Sequence, residues 1–503
     1  MTDLATIAAS LGSRQPTPLT ELFAREPARM EALRLDAGPL HIDFTKQQVD
    51  LGTLGDLLAL AGALDVEGAR ARLFARAIVN PSEHRAATHW AERLPGADAA
   101  VERLAARVKA GDFGKIRSVI HIGIGGSALG PALVLDALRA SQGRIETAVV
   151  SNVDGEALAG AVARFRPKKT LILLASKSFT TAETLLNARS AVAWLAERGI
   201  HDPLARVVAV TAAPAAARDY GIRAENILPF DETVGGRFSL WSPVGASIAL
   251  SLGLDAWRDL LTGARAMDEH FASAPLGENA PVVAALIDLW NAVVRDRPAR
   301  AVFPYDERLR LLPAFLQQLE MESNGKRVDV QGRALRRRAA PVTWGATGTD
   351  AQHAVFQLMH QGVDVIPAEF IGVARPGHGL DPEHHRQLLL NMLAQGAALM
   401  RGRSAAEAAE LAGGDPALAA ARSFPGDRPS TTILLDELTP YALGALLAFY
   451  EHRTFAYGVL TGVNPFDQWG VELGKDIARS LSGGAGGFDP STEALMERAG
   501  VGA

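Results

Sequence analysis

The chain has 503 residues, a formal net charge of −5 and a sequence pI near 6.2. That length allows about two to four domains with ample core, and the charge gives no electrostatic reason to expect nucleic acid or an anionic membrane as partner. There is no cysteine, which excludes disulfides, thiolate nucleophiles, iron–sulfur clusters and cysteine zinc sites.

The first residues, MTDLATIAAS, carry no basic region followed by a long apolar stretch, so no signal peptide is expected. No run reaches the roughly 18 apolar residues of a membrane span. The compartment these features predict is the cytoplasm. Residues 1–112 read as a mostly helical region, with apolar residues at helical spacing through Leu51–Leu64 and Ala69–Ile78. Leu40–Phe44 interrupts it as a short extended piece. Asn80-Pro81-Ser82-Glu83 reads as a turn into a helix that Pro95-Gly96 ends.

From Ser118 the texture changes. Ser118–Ile122, Thr147–Ser151, Thr170–Ala175, Arg206–Val210 and Asn226–Phe230 are short aliphatic runs separated by helical patterns. That alternation predicts a parallel sheet with helices on both faces, a first α/β domain over 113–240. Connecting helices follow over 241–298. A second alternation (Ala301–Tyr305, Val328–Val330, Pro341–Trp344, Val363–Ala368, Thr432–Asp436) predicts a second α/β domain over 299–460. Gly402–Gly414 reads as an exposed helix, and Thr439-Pro440 as a helix start. A helical tail over 461–503 closes the chain.

Several loops are dense in chemistry. His121–Gly130, HIGIGGSALG, follows the first strand and opens a helix. Gly123, Gly125 and Ala128 fit the loose dinucleotide fingerprint, with Asp154 at the end of the next strand, so a nicotinamide enzyme is the first candidate. The same backbone would cradle any phosphate, or simply make a tight turn. Ser176–Thr181, SKSFTT, follows the strand TLILLA and places Ser176, Lys177, Ser178, Thr180 and Thr181 at a strand's carboxyl end. A dinucleotide has no use for a second cradle in one sheet, whereas the single phosphate of a sugar does. With Gly126-Ser127 beside it, the pattern favours a monophosphate. In DETVGGRFSLWSPVG, Arg237 follows a glycine pair; a ligand site and a surface arginine at a tight turn both fit that position.

Phe315–Lys326, FLQQLEMESNGK, reads as an α-helix stopped by Ser323-Asn324-Gly325, residues that tolerate the left-handed conformation. Glu322 then falls in the last turn, on the row Leu311–Phe315–Gln318–Glu322 bordering the buried face. Partial burial at a helix carboxyl end suits a carboxylate to act as a base, though a solvated acid near a helix end fits this stretch as well. In GTDAQHAVFQLMHQG, the seven-residue spacing predicts His353 and His360 on one helix face, and without carboxylates beside them no metal site is read. In NPFDQWGVELGK, Asp467 is a candidate helix cap. Lys475 lies inside that helix and is one of eight lysines, scarce enough to draw notice in a chain so rich in arginine.

Taken together, GIGGSALGP, SKSFTT, VGGRFSLWSPVG, QQLEMESNGK, GTDAQHAVFQLMHQG and FDQWGVELGK resemble, in the same order, the glucose-6-phosphate isomerase (phosphoglucose isomerase) family. Weaker likeness runs through DFTKQQVD (43–50), NPSEHRAATHW (80–90) and YEHRTFAYG (450–458). The resemblance implies two nested, doubly wound sugar-isomerase (SIS-type) sheet domains in a homodimer. It also implies interconversion of glucose 6-phosphate and fructose 6-phosphate, in glycolysis and gluconeogenesis, without cofactor or metal. By resemblance, Glu322 is the base moving a proton between C2 and C1, and Arg237 the arginine stabilising the enediolate. His353, reaching the site from the other subunit, and Lys475 are the ring-opening pair. Gly126, Ser127, Ser176, Ser178 and Thr181 are similar to the phosphate contacts, which Lys177 joins in the same cradle; Gln318 and Gln468 are similar to the sugar-side contacts. Departures are Asp350-Ala351 where the family commonly has Asn-Gly, Ser178 where it often has Thr, and the wording of VLTGVNP; none removes a group the mechanism requires. A sugar-phosphate sensor, a nicotinamide oxidoreductase and a bifunctional glucose/mannose-phosphate isomerase are the competing readings.

Overall fold

The computed structural model describes residues 11–483 and 487–501. The opening MTDLATIAAS, read above for a leader, lies outside the described residues. Arg34–Ala37 (β1) and Leu40–Asp43 (β2) form an antiparallel hairpin. Ser118–Ile122 (β3), Glu146–Val150 (β4), Thr170–Ala175 (β5), Val207–Thr211 (β6) and Ile227–Pro229 (β7) make a wholly parallel sheet in the order β4-β3-β5-β6-β7. Every residue of β3, β5 and β6 is buried, as continuous aliphatic runs require when helices cover both faces. The chain leaves β3 for β4 on one side and returns past it to β5 on the other. The crevice at such a reversal, outside the strands' carboxyl ends, is where open α/β sheets bind ligands. Here the reversal falls between the ends of β3 and β5.

Ala299–Tyr305 (β8), Val342–Gly345 (β9), Ala368–Val373 (β10) and Ser430–Leu435 (β11) build the second sheet, ordered β1-β2-β11-β10-β8-β9. Its last four strands are parallel, and the N-terminal hairpin adds antiparallel to β11. The architecture is thus α/β with two doubly wound, mainly parallel sheets and flanking helical segments.

Four local expectations are corrected. Val328–Val330 is no strand but a single bridge from Val328 to Ala334 around a turn at Gly332, whose φ is +76°. The strand expected over Val363–Ala368 begins at Ala368, because Pro367 has no N–H for the ladder. The segment from Asn80 pairs Asn80 with Arg85 and holds His84 at φ +51°. That leaves one 3₁₀ turn, His89–Arg93, in place of the expected helix. Near the end, Gln468 rather than Asp467 occupies the cap position of the turn Trp469–Val471.

Elsewhere two caps start helices, the second of them, at Thr439, as expected. Ser404 and Glu407 form a capping box on the helix Ala405–Leu411. Thr439 accepts from Ala442 N at 3.1 Å to start the long buried helix Pro440–Thr461. That helix carries the YEHR residues Glu451, His452 and Arg453, all buried. Buried charges need partners, and these become important below. The chain divides at Pro465/Phe466 into two compact units. The second holds the helices Glu472–Ser482 and Pro490–Ala499, the latter capped by Asp489.

Candidate functional site

At the end of β3 the glycine loop is squeezed from two directions. Gly125 has φ +57°, and a Cβ there would lie 2.7 Å from Gln318 Nε2; one on Gly126 would lie 2.1 Å from the Gly236 carbonyl oxygen. No residue with a side chain fits either position. The loop, Gly236-Arg237 and Gln318, far apart in sequence, therefore meet at one place. His121 pins the loop from below: its Nε2 donates to the Ser127 carbonyl at 2.7 Å. Its Nδ1 must then accept from Ser247 Oγ at 2.8 Å, since the carbonyl can only accept. Complete burial lowers the His121 pKa to about 4, which keeps the ring neutral and that tautomer fixed.

At the end of the neighbouring β5, Phe179 takes the left-handed conformation (φ +56°) and is buried edge-on against Tyr220. That turn throws Ser178 and Thr180 outward, their hydroxyls 2.7 Å apart. Ser176 Oγ is buried without a hydrogen-bond partner. Thr181 holds the cap position of the helix Ala182–Glu197, yet its hydroxyl makes no capping bond. A buried hydroxyl with no protein partner beside two exposed ones is chemistry that suits an anion. Lys177 is set differently. Burial lowers its pKa, with Arg85 acting in the same direction and Glu83, Glu232 and Asp231 opposing.

Arg237 is buried in the 3₁₀ turn Gly236–Trp241. Its Nε donates to Ser323 Oγ at 2.6 Å and its Nη2 to the Pro465 carbonyl at 2.5 Å. Its Nη1 lies 3.5 Å from Glu322 Oε1, on a carboxylate whose side chain is 20% exposed. The guanidinium is thus fixed on two sides and meets Glu322 with the third.

Glu322 is not on a regular α-helix. The α-helix Leu312–Leu316 widens into a π-helix over Gln317–Glu322, and this extra residue per turn breaks the expected row Leu311–Phe315–Gln318–Glu322. The helix does stop at Gly325, but not through left-handed backbone. A Cβ at Gly325 would sit 2.3 Å from the Met321 oxygen, so close approach requires the glycine.

The glycine loop, the hydroxyl turn beside it and the Arg237–Glu322 pair place an anion cradle next to a charge-paired carboxylate. The phosphoglucose isomerase family profile matches residues 43–496. The chain belongs to the phosphoglucose isomerase family. It is 53% identical to the glucose-6-phosphate isomerase of Rhizorhabdus wittichii, covering 99% of this chain and all of that one. Identity to the Zymomonas mobilis enzyme of the same name is 50%, over 96% of this chain and 95% of that one. Among solved structures, a glucose-6-phosphate isomerase from Chlamydia trachomatis superposes with a TM-score of 0.87 at 30% identity, covering 99% and 98% of the two chains.

Within this phosphoglucose isomerase family member, Gly126, Gln318, Glu322 and Arg237 converge, with Ser127 in the glycine loop and Ser176, Ser178 and Thr181 on the adjacent strand end. His353 is exposed in the short helix Gly348–Ala354. A break at Val355 separates it from His360, which pairs with Gln395 at 3.0 Å, so the two histidines do not share one helix face. Gln468 and Lys475 belong to the second compact unit, with Lys475 exposed in the helix Glu472–Ser482. Sequence reasoning missed His121 and Ser323. A lone histidine among the aliphatic residues of β3, two residues before Gly123, was a usable signal for His121. Among the described residues no helix is long and apolar enough to cross a membrane, and no cluster of metal-ligating side chains occurs.

Proposed function

We propose that this chain interconverts glucose 6-phosphate and fructose 6-phosphate by proton transfer through a cis-enediolate. The observation that carries this reading is the Glu322 carboxylate held 3.5 Å from the Arg237 guanidinium beside the glycine loop. The phosphate lies on the Gly126-Ser127 amides and the hydroxyls of Ser176, Ser178 and Thr181. Gln318 and Gln468 contact the sugar, and Lys177 adds positive charge near the phosphate. His353 and Lys475 move the proton that opens the ring. Glu322 then takes the proton from C2 of the open aldose, and the electron pair left behind forms the C1–C2 double bond while O1 gains charge. Arg237 stabilises that charge. The O2 hydroxyl proton passes to O1, and return of the first proton to C1 as C2=O2 forms gives the ketose. The sugar's overall oxidation state is unchanged, so the step needs no hydride acceptor and we propose no cofactor. Arg237 supplies the positive charge a metal would otherwise bring, so we propose none. The exposure of His353 suits a homodimer in which it serves the partner's site. We place the enzyme in the cytoplasm, in glycolysis and gluconeogenesis.

The test is conversion of fructose 6-phosphate coupled to glucose-6-phosphate dehydrogenase and followed as NADPH, with EDTA present. Turnover is expected; tight sugar-phosphate binding without turnover would favour a sensor. Ser176→Ala gives a finer check. The hydroxyl has no internal partner to lose, so melting temperature should hold. A lost hydrogen bond to a charged phosphate should raise KM about tenfold. An unchanged KM would remove Ser176 from the cradle.

A further inference from the structure

Two residues before Glu322, Glu320 is held by more hydrogen bonds than Glu322 itself shows. It lies on the same π-helix. Arg300 Nη2, from β8, donates to both its oxygens, and Thr343 Oγ1, from β9, donates to Oε2 at 2.6 Å. Arg300 also reaches Glu369 at 3.3 Å. Arg453 binds Asp288 with two nitrogens at 2.7 Å each and Glu369 at 2.6 Å. Two guanidiniums thus face three carboxylates, Asp288, Glu320 and Glu369.

Two carboxylates would balance two arginines. A third, largely withdrawn from water, costs desolvation that needs a return. Asp288 stands on the helix Ala280–Leu289 and Glu369 on β10, whereas Glu320 alone among the three rides on the segment that carries Glu322. Beside the network is a narrow crevice whose lining includes Glu320, Asn324, Thr454 and Tyr457. Asn324 Oδ1, Thr454 Oγ1 and Tyr457 OH are buried there without partners. On this side the segment is tied to the sheet by Glu320 and its end to the helix Pro440–Thr461 by Asn324 Nδ2, which donates to the Thr454 carbonyl at 3.1 Å, while Arg237 holds it from the other.

We propose that Glu320 is a positioning residue: its attachment to Arg300 and Thr343 fixes the π-helical segment so that the Glu322 carboxylate meets the C1–C2 edge of the sugar. This rests on the reading of Glu322 as base. A displaced base slows proton transfer without loosening the phosphate, which is bound by other elements.

Glu320→Gln, Thr343→Val and Glu322→Gln are to be compared in the coupled assay. Each is also titrated with a sugar-phosphate hydroxamate, which imitates the planar enediolate. For Glu320→Gln, kcat should fall about 10- to 100-fold with KM near that of the wild type. Hydroxamate affinity should fall in step with kcat, because it reports complementarity to the transition state. Thr343→Val, which leaves the charges intact, should show the same split at smaller size, and it decides the matter should Glu320→Gln fail to fold. Wild-type kcat in both, with Glu322→Gln inactive, overturns the positioning role and leaves the base in place. Loss shared equally by KM and melting temperature makes Glu320 merely structural and overturns it too. A fully active Glu322→Gln sinks both readings.

Discussion

Glu322→Gln should lose 10²- to 10⁴-fold in kcat, the span of general acid–base assistance, while sugar-phosphate binding survives. The amide fills the same volume and can still face Arg237 Nη1 with its oxygen, so neither the π-helix nor the Arg237 contacts to Ser323 and Pro465 are disturbed. What disappears is the lone pair that accepts a proton from carbon. Titration with fructose 6-phosphate by calorimetry separates the two effects. Turnover close to wild type would exclude Glu322 as the base. Lost binding together with lost turnover would mean that the carboxylate serves ground-state recognition instead.

Arg93→Met should destabilise the fold by about 3–5 kcal/mol, the cost of removing one partner from a buried ion pair. Arg93 is completely buried and donates to Asp268 and to Glu451, while its guanidinium lies 4.3 Å from the Trp241 ring. Glu451 in turn accepts from Trp241 Nε1 at 2.8 Å, and Asp268 from His452 Nε2 at 2.7 Å. Methionine would leave two carboxylates facing each other without a cation.

The deficit should depend on pH. Burial raises the Glu451 pKa to about 7, with Asp268 adding to the rise and Arg93 opposing it. A carboxyl whose folded pKa lies above its unfolded value contributes stability below the unfolded pKa and loses it as pH rises through the folded one. Without Arg93 the Glu451 pKa rises further, so at pH 5.5 the variant buries a neutral acid at little cost, whereas at pH 8.5 it must either hold that proton against the solution or bury a charge whose cation is gone. Urea midpoints should therefore drop further at pH 8.5 than at pH 5.5. An equal drop at both would mean that Glu451 carries no burial penalty. Because Trp241 ends the turn that starts at Gly236-Arg237, part of the catalytic loss in this variant should follow its stability loss.

The sheets were readable where burial is uniform. β3, β5 and β6 are unbroken aliphatic runs because both their faces are covered. β10 was misplaced because Glu369, buried and paired with Arg453 and Tyr450, interrupts the apolar pattern. The β1–β2 hairpin was visible only as a short extended piece, since nothing local says that it pairs with β11 far along the chain. At the site, glycines and hydroxyls after strands pointed, by residue type and position alone, to the phosphate cradle proposed above. The π-helix did not announce itself: its residues suit an α-helix equally well, and only Glu320 bound to Arg300 and Glu322 beside Arg237 make the wider turn intelligible. The roles of His353 and Lys475 came from resemblance rather than from local chemistry.

The most direct test of the proton-transfer account is equilibration of fructose 6-phosphate with the enzyme in D₂O, followed by proton NMR. Removal of a proton by Glu322 predicts deuterium accumulating at C2 of glucose 6-phosphate and C1 of fructose 6-phosphate, and none with Glu322→Gln. Complete equilibration of the two sugars over many turnovers with no deuterium at either carbon would contradict it and point to direct hydride transfer.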